Sequence, residues 1–515
     1  MVPGPDGALY VAVGNHTPVP ASVERAACDR WAEDIVGERM WDPRGHAVGL
    51  TAPGGTVIRV DPVTGDAELW ATGFRNHYDL AFAPDGELFT YDSDMEWDMG
   101  APWYRAPRIV HVVRGGEYGW RSGSGKWPAW SPDSMPAACD TDAASPTGML
   151  HGADGAFPPP WDRMLYAADW TYGRILAVDL RATEGSFVGA WQPFVTGRPM
   201  PVADMAWGPD GAMWIVTGGR GTQSGLYRVA AAGVAGGVDA GAASAATTRP
   251  APDDRASRAI AAKASLRQAF EELMARPGGT AAMPAIVRAL GSDDRAVAFA
   301  ARVALEHRGP DAIAVAMTDG SPRVRAMALL AAARSDGIAP ERVFDGVLGD
   351  DAFAGADPWT RIIALRALGV SASRHREAGH ENADRIAAFL APGFADVDPR
   401  IAESALDLAC ALRRPEAIEP TLRRMDHART RAEALRWATM LRAVDAGWTD
   451  MQRARLWTAL DRLDDQAGGF SLGGFMARIR EDASKAVGRP SAAGVGAGVG
   501  DADGSGAASG ASPVV

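Results

Sequence analysis

Four acidic residues, Asp92, Asp94, Glu96 and Asp98, recur at every second position in a stretch that opens on Arg75 and Asn76 and closes on Lys126. On an extended backbone a period of two projects all four carboxylates to one side. Such crowding calls for a hard cation such as calcium, for arginine partners, or for full solvation. Arg105 and Arg108 are close enough in sequence to be those partners. Arg75 offers a permanently charged donor fork for an anionic ligand, or a bridge between elements through an acid such as Asp79. Asn76 serves a turn backbone as readily as a ligand. Lys126, in the glycine-rich SGSGKWP turn, has the reach to meet an acidic group. The candidate metal ligands are thus Asp92, Asp94 and Glu96, and the candidate cofactor-binding residues are Arg75, Asn76 and Lys126. Arg220, in the strand-end loop of GGRGTQSGLYRV, joins the second set.

Aromatic residues crowd the same stretch. Trp103, Tyr104 and Trp120 either pack sheet elements or stack on a planar ring or a sugar face. Asp169 and Trp170 close a later strand and either line the same face, with Asp204, or cap turns. Trp103, Tyr104, Trp120, Asp169 and Trp170 are the candidate substrate-contacting residues. His111 sits among apolar neighbours in RIVHVV and reads as a hydrogen-bonded strand residue rather than a base.

The elements that must hold these groups recur. GPDGALYVAVGN (4–15), APDGELFTYDSD (83–94) and GPDGAMWIVTGG (208–219) each couple a Pro-Asp-Gly turn to an alternating apolar run, and WDRMLYAADW (161–170) is a weaker fourth copy. Further strands are expected in TVIRVDP, DAELWAT, RIVHVV, RILAVDL and GLYRVA. The pattern predicts an all-β propeller of about four blades over residues 1–230, with a sandwich as the alternative. A propeller closes with at least four blades and often six or more, so a sequence opening on such a turn leads us to expect blades upstream.

Residues 231–256, nearly all Ala, Gly, Ser, Thr and Val at first, read as a linker. From 257 to 485 the apolar period becomes helical, and short turns lead into Arg-containing helix starts at Asp294-Arg295, Pro322-Arg323 and Pro399-Arg400. This region resembles HEAT repeats, an all-α solenoid that either offers a protein partner a platform or buttresses the first domain. Residues 486–515 are expected to be disordered.

The net charge of −12 excludes a general nucleic-acid binder. Three widely spaced cysteines, Cys28, Cys139 and Cys410, exclude a disulfide framework, and without a CxxCH motif no covalent haem is encoded. The sequence has no transmembrane run and no signal peptide, so as written it reads as soluble and cytoplasmic; an upstream exported segment would move it to the periplasm or the membrane.

GFRNHYDLAF, DMEWD, PWYR, EYGWRSGSGKWP, SPTG and GGRGTQSGLYRV together resemble the planctomycete-type membrane-bound dehydrogenase-like propeller proteins. That group is similar to the glucose/sorbosone dehydrogenases, six-bladed propellers that use pyrroloquinoline quinone (PQQ) and calcium. The resemblance implies that Arg75 and Asn76 lie near the quinone. It also brings departures: Asp79 replaces a glycine, Asp92, Ser93 and Asp94 fall where a His-Gly-Pro turn holds calcium, and Arg121 stands for a proline. The family's catalytic His precedes the G-P-D-G-x-L-Y strand and has no counterpart here, since His16 follows that strand. The implied function is a PQQ-type sugar or alcohol dehydrogenase-like protein, inactive or partial forms included, working with an external electron acceptor. The alternative is a noncatalytic propeller-solenoid scaffold that binds protein or carbohydrate.

Overall fold

Each repeated turn feeds the second strand of its own antiparallel sheet. In the computed structural model, which describes residues 1–24, 33–232, 254–275, 280–464 and 467–490, the first sheet runs β1 (Val2–Pro3), β2 (Leu9–Val13), β3 (Gly55–Val60) and β4 (Ala67–Phe74). The second contains β5 (Leu80–Phe82), β6 (Leu88–Asp92) and β7 (Arg108–Val112). The short β8 (Gly116–Glu117) lies parallel beside β4, and β9 (Cys139–Asp140) completes the second sheet. The third comprises β10 (Pro146–His151), β11 (Leu165–Asp169), β12 (Arg174–Thr183) and β13 (Ser186–Thr196), and the fourth β14 (Val202–Trp207), β15 (Met213–Gly219) and β16 (Thr222–Val229). The four sequence repeats become β2, β6, β11 and β15.

Alternation along these strands gives every sheet two apolar faces, and successive sheets bury them against one another. Phe89, Tyr91 and Ile109 of the second sheet share a cluster with Met149, Leu165 and Val178 of the third. Tyr166, Ala168 and Ile175 of the third share another with Met213 and Ile215 of the fourth. The leading strands β5, β10 and β14 are neighbours, and the four sheets do not close into a ring.

The remainder is helical. In chain order the helices are α1 (Asp254–Met274), α2 (Met283–Leu290), α3 (Arg295–Glu306), α4 (Pro310–Ala316), α5 (Pro322–Arg334), α6 (Pro340–Leu348) and α7 (Pro358–Arg374), followed by α8 (Arg376–Glu381), α9 (Ala383–Leu390), α10 (Pro399–Ala411), α11 (Ile418–Asp426), α12 (Arg431–Leu441), α13 (Asp450–Asp464) and α14 (Leu472–Ala486). Asp294, Asp357 and Asp398 cap α3, α7 and α10 through backbone N–H groups, so the turn-then-Arg pattern marks real helix starts. Helices α3, α5, α7, α10, α12 and α14 touch in succession and form one row. No described helix is long and apolar enough to cross a membrane.

That row packs onto the sheets. Arg295 of α3 donates to the carbonyls of Ala129, Ser131 and Ser134, while Trp103 meets Phe475 of α14 with ring centroids 4.7 Å apart. The insertion after β2 runs between the halves: Asp34 pairs with Arg121 and Arg334, and Asp42 accepts the Ser471 hydroxyl. Arg334 and Arg366 also converge on Asp133, and the Trp127 ring has the Arg121, Arg366 and Arg334 guanidinium carbons 4.2, 4.5 and 5.5 Å from its centroid. Most of the expected linker (233–253), the tail from 491 and Cys28 lie outside the described residues.

Candidate functional site

The loops that follow β2, β6, β11 and β15 gather at one end of the sheets, with the segment between β4 and β5. There the backbone decides the fate of the acidic run. β6 ends at Asp92, and the chain passes through Ser93–Met95 into a single 3-10 turn, Glu96–Asp98, so the period of two breaks.

The Asp92 carboxylate accepts the Arg75 and Asn76 backbone N–H groups at 3.0 and 3.1 Å and pairs with Arg108, which stands opposite it on β7. Asp94 is buried against the Met95 N–H and lies 3.6 Å from the Lys126 ammonium; burial pushes its carboxyl up, and Lys126 opposes that shift. Glu96 is exposed. Asp92, Asp94 and Glu96 therefore do not form a metal cage, a correction to the expected calcium site. Among the described residues no three His, Cys, Asp or Glu side chains gather as metal ligands.

Lys126 is not a mobile arm either. Its ammonium is buried 2.6 Å from Asp98 and donates to the Gly123 carbonyl. Burying a lysine is tolerable only with such a partner, and the helical row together with the insertion covers this turn. Trp103 belongs to the contact with α14, and Trp120 is a packing residue. It fills the space where a Cβ on Gly54, at φ +72, would sit. Asp169 likewise leaves the substrate-contacting set: it accepts the N–H groups of Ser145, Thr171 and Tyr172 and pairs with Arg174 at 2.7 Å.

Other residues stay at the open end. Arg75 is held by Ser93 Oγ at 3.2 Å and the Met95 sulfur at 2.7 Å, and its Nε is buried without an acceptor. Burial lowers the Arg75 guanidinium, and Asp94 and Asp92 counter that effect. The Asn76 side chain is exposed, and only its backbone takes part in the Asp92 clip. Tyr104 is half-buried, its phenol pushed up to about 12 by burial and then by Asp94 and Glu96. Trp170 donates its indole N–H to the Gly218 carbonyl at 2.8 Å, and the Arg220 guanidinium carbon lies 5.1 Å from its ring centroid. Arg220 has φ +49, a left-handed conformation that turns the side chain over the ring.

Three features were not read as site elements from sequence. Arg105 makes no hydrogen bond or ion pair among the described residues, and burial followed by Arg108 pulls its guanidinium down to about 10. A cavity of about 300 Å³ opens beside Trp170, lined also by Tyr172, Arg198, Met200 and Thr222. Tyr172 and Tyr104 are close enough to influence each other electrostatically, which links the second-sheet and third-sheet parts of the face. His46 reaches the same end on the insertion, edge-on to His16 and Trp97, and burial followed by Arg75 lowers it to about 4, so it is neutral at pH 7. The sequence offers Arg105 as a partner for the acidic run, a role that the structure gives to Arg108 and Lys126 instead, and the cavity is a tertiary product.

No family model matches the sequence. No curated protein matches it either. Among solved structures, similar ones include an oxidoreductase of Thermus thermophilus assigned as a glucose dehydrogenase (20% identity, 44% of this chain and 63% of that one, TM-score 0.30). A glucose dehydrogenase (17%, 44% and 62%, TM-score 0.32) and the PQQ-bound aldose sugar dehydrogenase of Streptomyces coelicolor (18%, 44% and 59%, TM-score 0.28) are also similar. The chain spans about three fifths of the length of each of these proteins.

Proposed function

We propose that the sheets form an arc of a sugar-dehydrogenase-like propeller whose loop end binds a planar anionic ligand, PQQ being the candidate that the sequence resemblance names. The observation that carries this reading is a set of arginines at the loop end with donor capacity left over, one of them lying over an aromatic face. Arg105 has no partner, Arg75 has an unused buried Nε, and Arg220 stacks over Trp170 beside the Tyr172 cavity. Guanidinium groups hold carboxylates by charge-assisted hydrogen bonds, and aromatic rings hold a flat ligand by its faces. PQQ, when bound, is a two-electron acceptor; this chain's residues would bind and orient it, with Arg105 and Arg75 on its anionic edge and Trp170 on a face.

Calcium does not fit the carboxylates present, since Asp92 and Asp94 are already committed to Arg108, Lys126 and backbone N–H groups. A noncatalytic reading is favoured by that same commitment, because Asp92 and Asp169 are locked and free to act neither as base nor as ligand. We place the helical half in this scheme as HEAT-like repeats that buttress the sheets, a role supported by the buried Asp133–Arg334–Arg366 contacts. Sugars or other alcohols, and an external electron acceptor, enter only if turnover exists.

The test is titration of the purified chain with PQQ, with and without calcium, followed through tryptophan fluorescence, alongside dye-linked oxidation across an aldose panel. Saturable binding with no turnover supports the noncatalytic binder, and turnover supports the dehydrogenase. Absence of saturable binding overturns the ligand proposal.

A further inference from the structure

A cavity of about 200 Å³ lies in the helical half, between α7, α9 and α10. Small side chains make it. Ala364 of α7, Ala388 of α9, Ala405 of α10 and Gly393 of the 3-10 turn Ala391–Ala395 put nothing beyond Cβ into the space. The floor is apolar and buried, formed in part by Leu365, Leu390 and Ile401. The mouth reaches the surface, where Ala388 and Pro392 are exposed.

Among the described residues that line this cavity only Arg361 is charged. Its Nη1 lies 2.7 Å from Asp396, which stands outside the lining, and its Nε and Nη2 make no hydrogen bond or ion pair among the described residues. An apolar interior thus meets a cation with donors to spare. Apolar cavities of about 150 Å³ stay dry and take up a benzene-sized molecule. This one has room for such a body and a short chain, and far too little for a helix about 10 Å across. Guanidinium donors select a carboxylate over a neutral polar head, because the bond to an ionised acceptor is the stronger one.

We propose that this cavity binds a small amphiphilic carboxylate, a short aliphatic acid or its aryl equivalent. The apolar body lies against Leu365, Leu390 and Ile401, and the carboxylate meets Arg361. Such a ligand gains dispersion contacts with every wall, and a neutral analogue keeps these while losing the charge-assisted bond. The site shares no residue with the loop end of the sheets.

Isothermal titration of the full chain with octanoate is expected to show saturable binding, with 1-octanol binding more weakly. Arg361→Gln should weaken octanoate binding about tenfold and leave 1-octanol binding within about twofold of the wild type. Ala388→Trp, at an exposed position on the mouth, should abolish binding of both while circular dichroism and melting temperature stay unchanged. That variant separates loss of the site from loss of the fold. No saturable octanoate binding, binding that survives Ala388→Trp, or an equal loss of octanoate and 1-octanol in Arg361→Gln overturns the proposal. A peptide with a C-terminal leucine that binds more tightly than octanoate also overturns it, by naming a protein terminus as the occupant.

Discussion

Asp92 and Asp169 hold the same place in consecutive sheets. Each ends the second strand, faces an arginine that begins the third strand, and collects backbone N–H groups from the loop entering its own sheet: Arg75 and Asn76 for one, Ser145 for the other. The sheets diverge only past that point. After Asp92 come Ser93 and Asp94, tied to Arg75 and Lys126. After Asp169 come Trp170, Thr171 and Tyr172, which line an open cavity. An acid repeated at one register of a repeated element is thus a closure device, and the residues after it are free to differ.

The largest expected effect lies on the covered side. Asp133 binds Arg334 and Arg366, and both arginines also approach the buried Asp34. Removing one member of a buried ion network leaves uncompensated charge and costs about 3–5 kcal/mol. Asp133→Ala should lower stability by that order in urea unfolding, and a loss below about 1 kcal/mol would show that the halves are not held through this network. Burial alone would raise the Asp133 carboxyl, but Arg366 and Arg334 outweigh it and hold the group well below the usual carboxylate range. A depressed value stabilises the fold above the unfolded value of about 3.9 and is lost as pH falls below that. The wild-type chain should therefore weaken between about pH 5 and pH 3 by more than Asp133→Asn does. Matching acid profiles would remove Asp133 from the account.

Local signals made the strands and helix starts legible. A Pro-Asp-Gly turn followed by alternating apolar residues needs nothing beyond its own ten residues, and all four copies became second strands. Helix starts at Arg295, Pro322 and Pro399 were legible for the same reason, through Asp caps and proline at the first turn. β13 is hard to read because its sequence, SFVGAWQPFVT, carries Gly189 and Pro193 inside a strand with no fully buried residue. The site was harder to read. Lys126, Trp103 and Trp120 have the composition of a ligand pocket, and only long-range contacts, such as Phe475 against Trp103, reveal their packing roles. The acidic run misled because one 3-10 turn after Met95 undoes a period that only an unbroken strand would keep.

A middle-sized effect tests the likeness of the two clips. Asp92→Asn and Asp169→Asn each lose a charge-assisted pair and weaken two or more backbone contacts, at a cost of about 2–3 kcal/mol. Thermal unfolding should show similar losses. If Asp169→Asn is silent while Asp92→Asn is costly, the two positions are not one device, and Asp169 returns to consideration as a ligand-binding acid. Calcium should stabilise neither the wild-type chain nor either variant. A calcium-dependent rise in melting temperature that Asp92→Asn abolishes would restore the metal site.

The smallest expected effects fall on the open side, where little stability is at stake. Trp170 is half-buried and Arg220 exposed, so Trp170→Phe and Arg220→Ala should leave the melting temperature nearly unchanged. A cation over an aromatic ring contributes roughly 0.5–1 kcal/mol at an exposed site, and a stacking face adds a comparable amount. Each substitution should weaken binding of a planar anion by about three- to tenfold, whereas Arg105→Ala should weaken it more, because a half-buried unpaired guanidinium has more to gain from an anion. If all three variants bind PQQ as the wild type does, the open face is not its site. A loss confined to Arg105→Ala would instead place the anion against the second sheet, beside Tyr104 and away from Trp170.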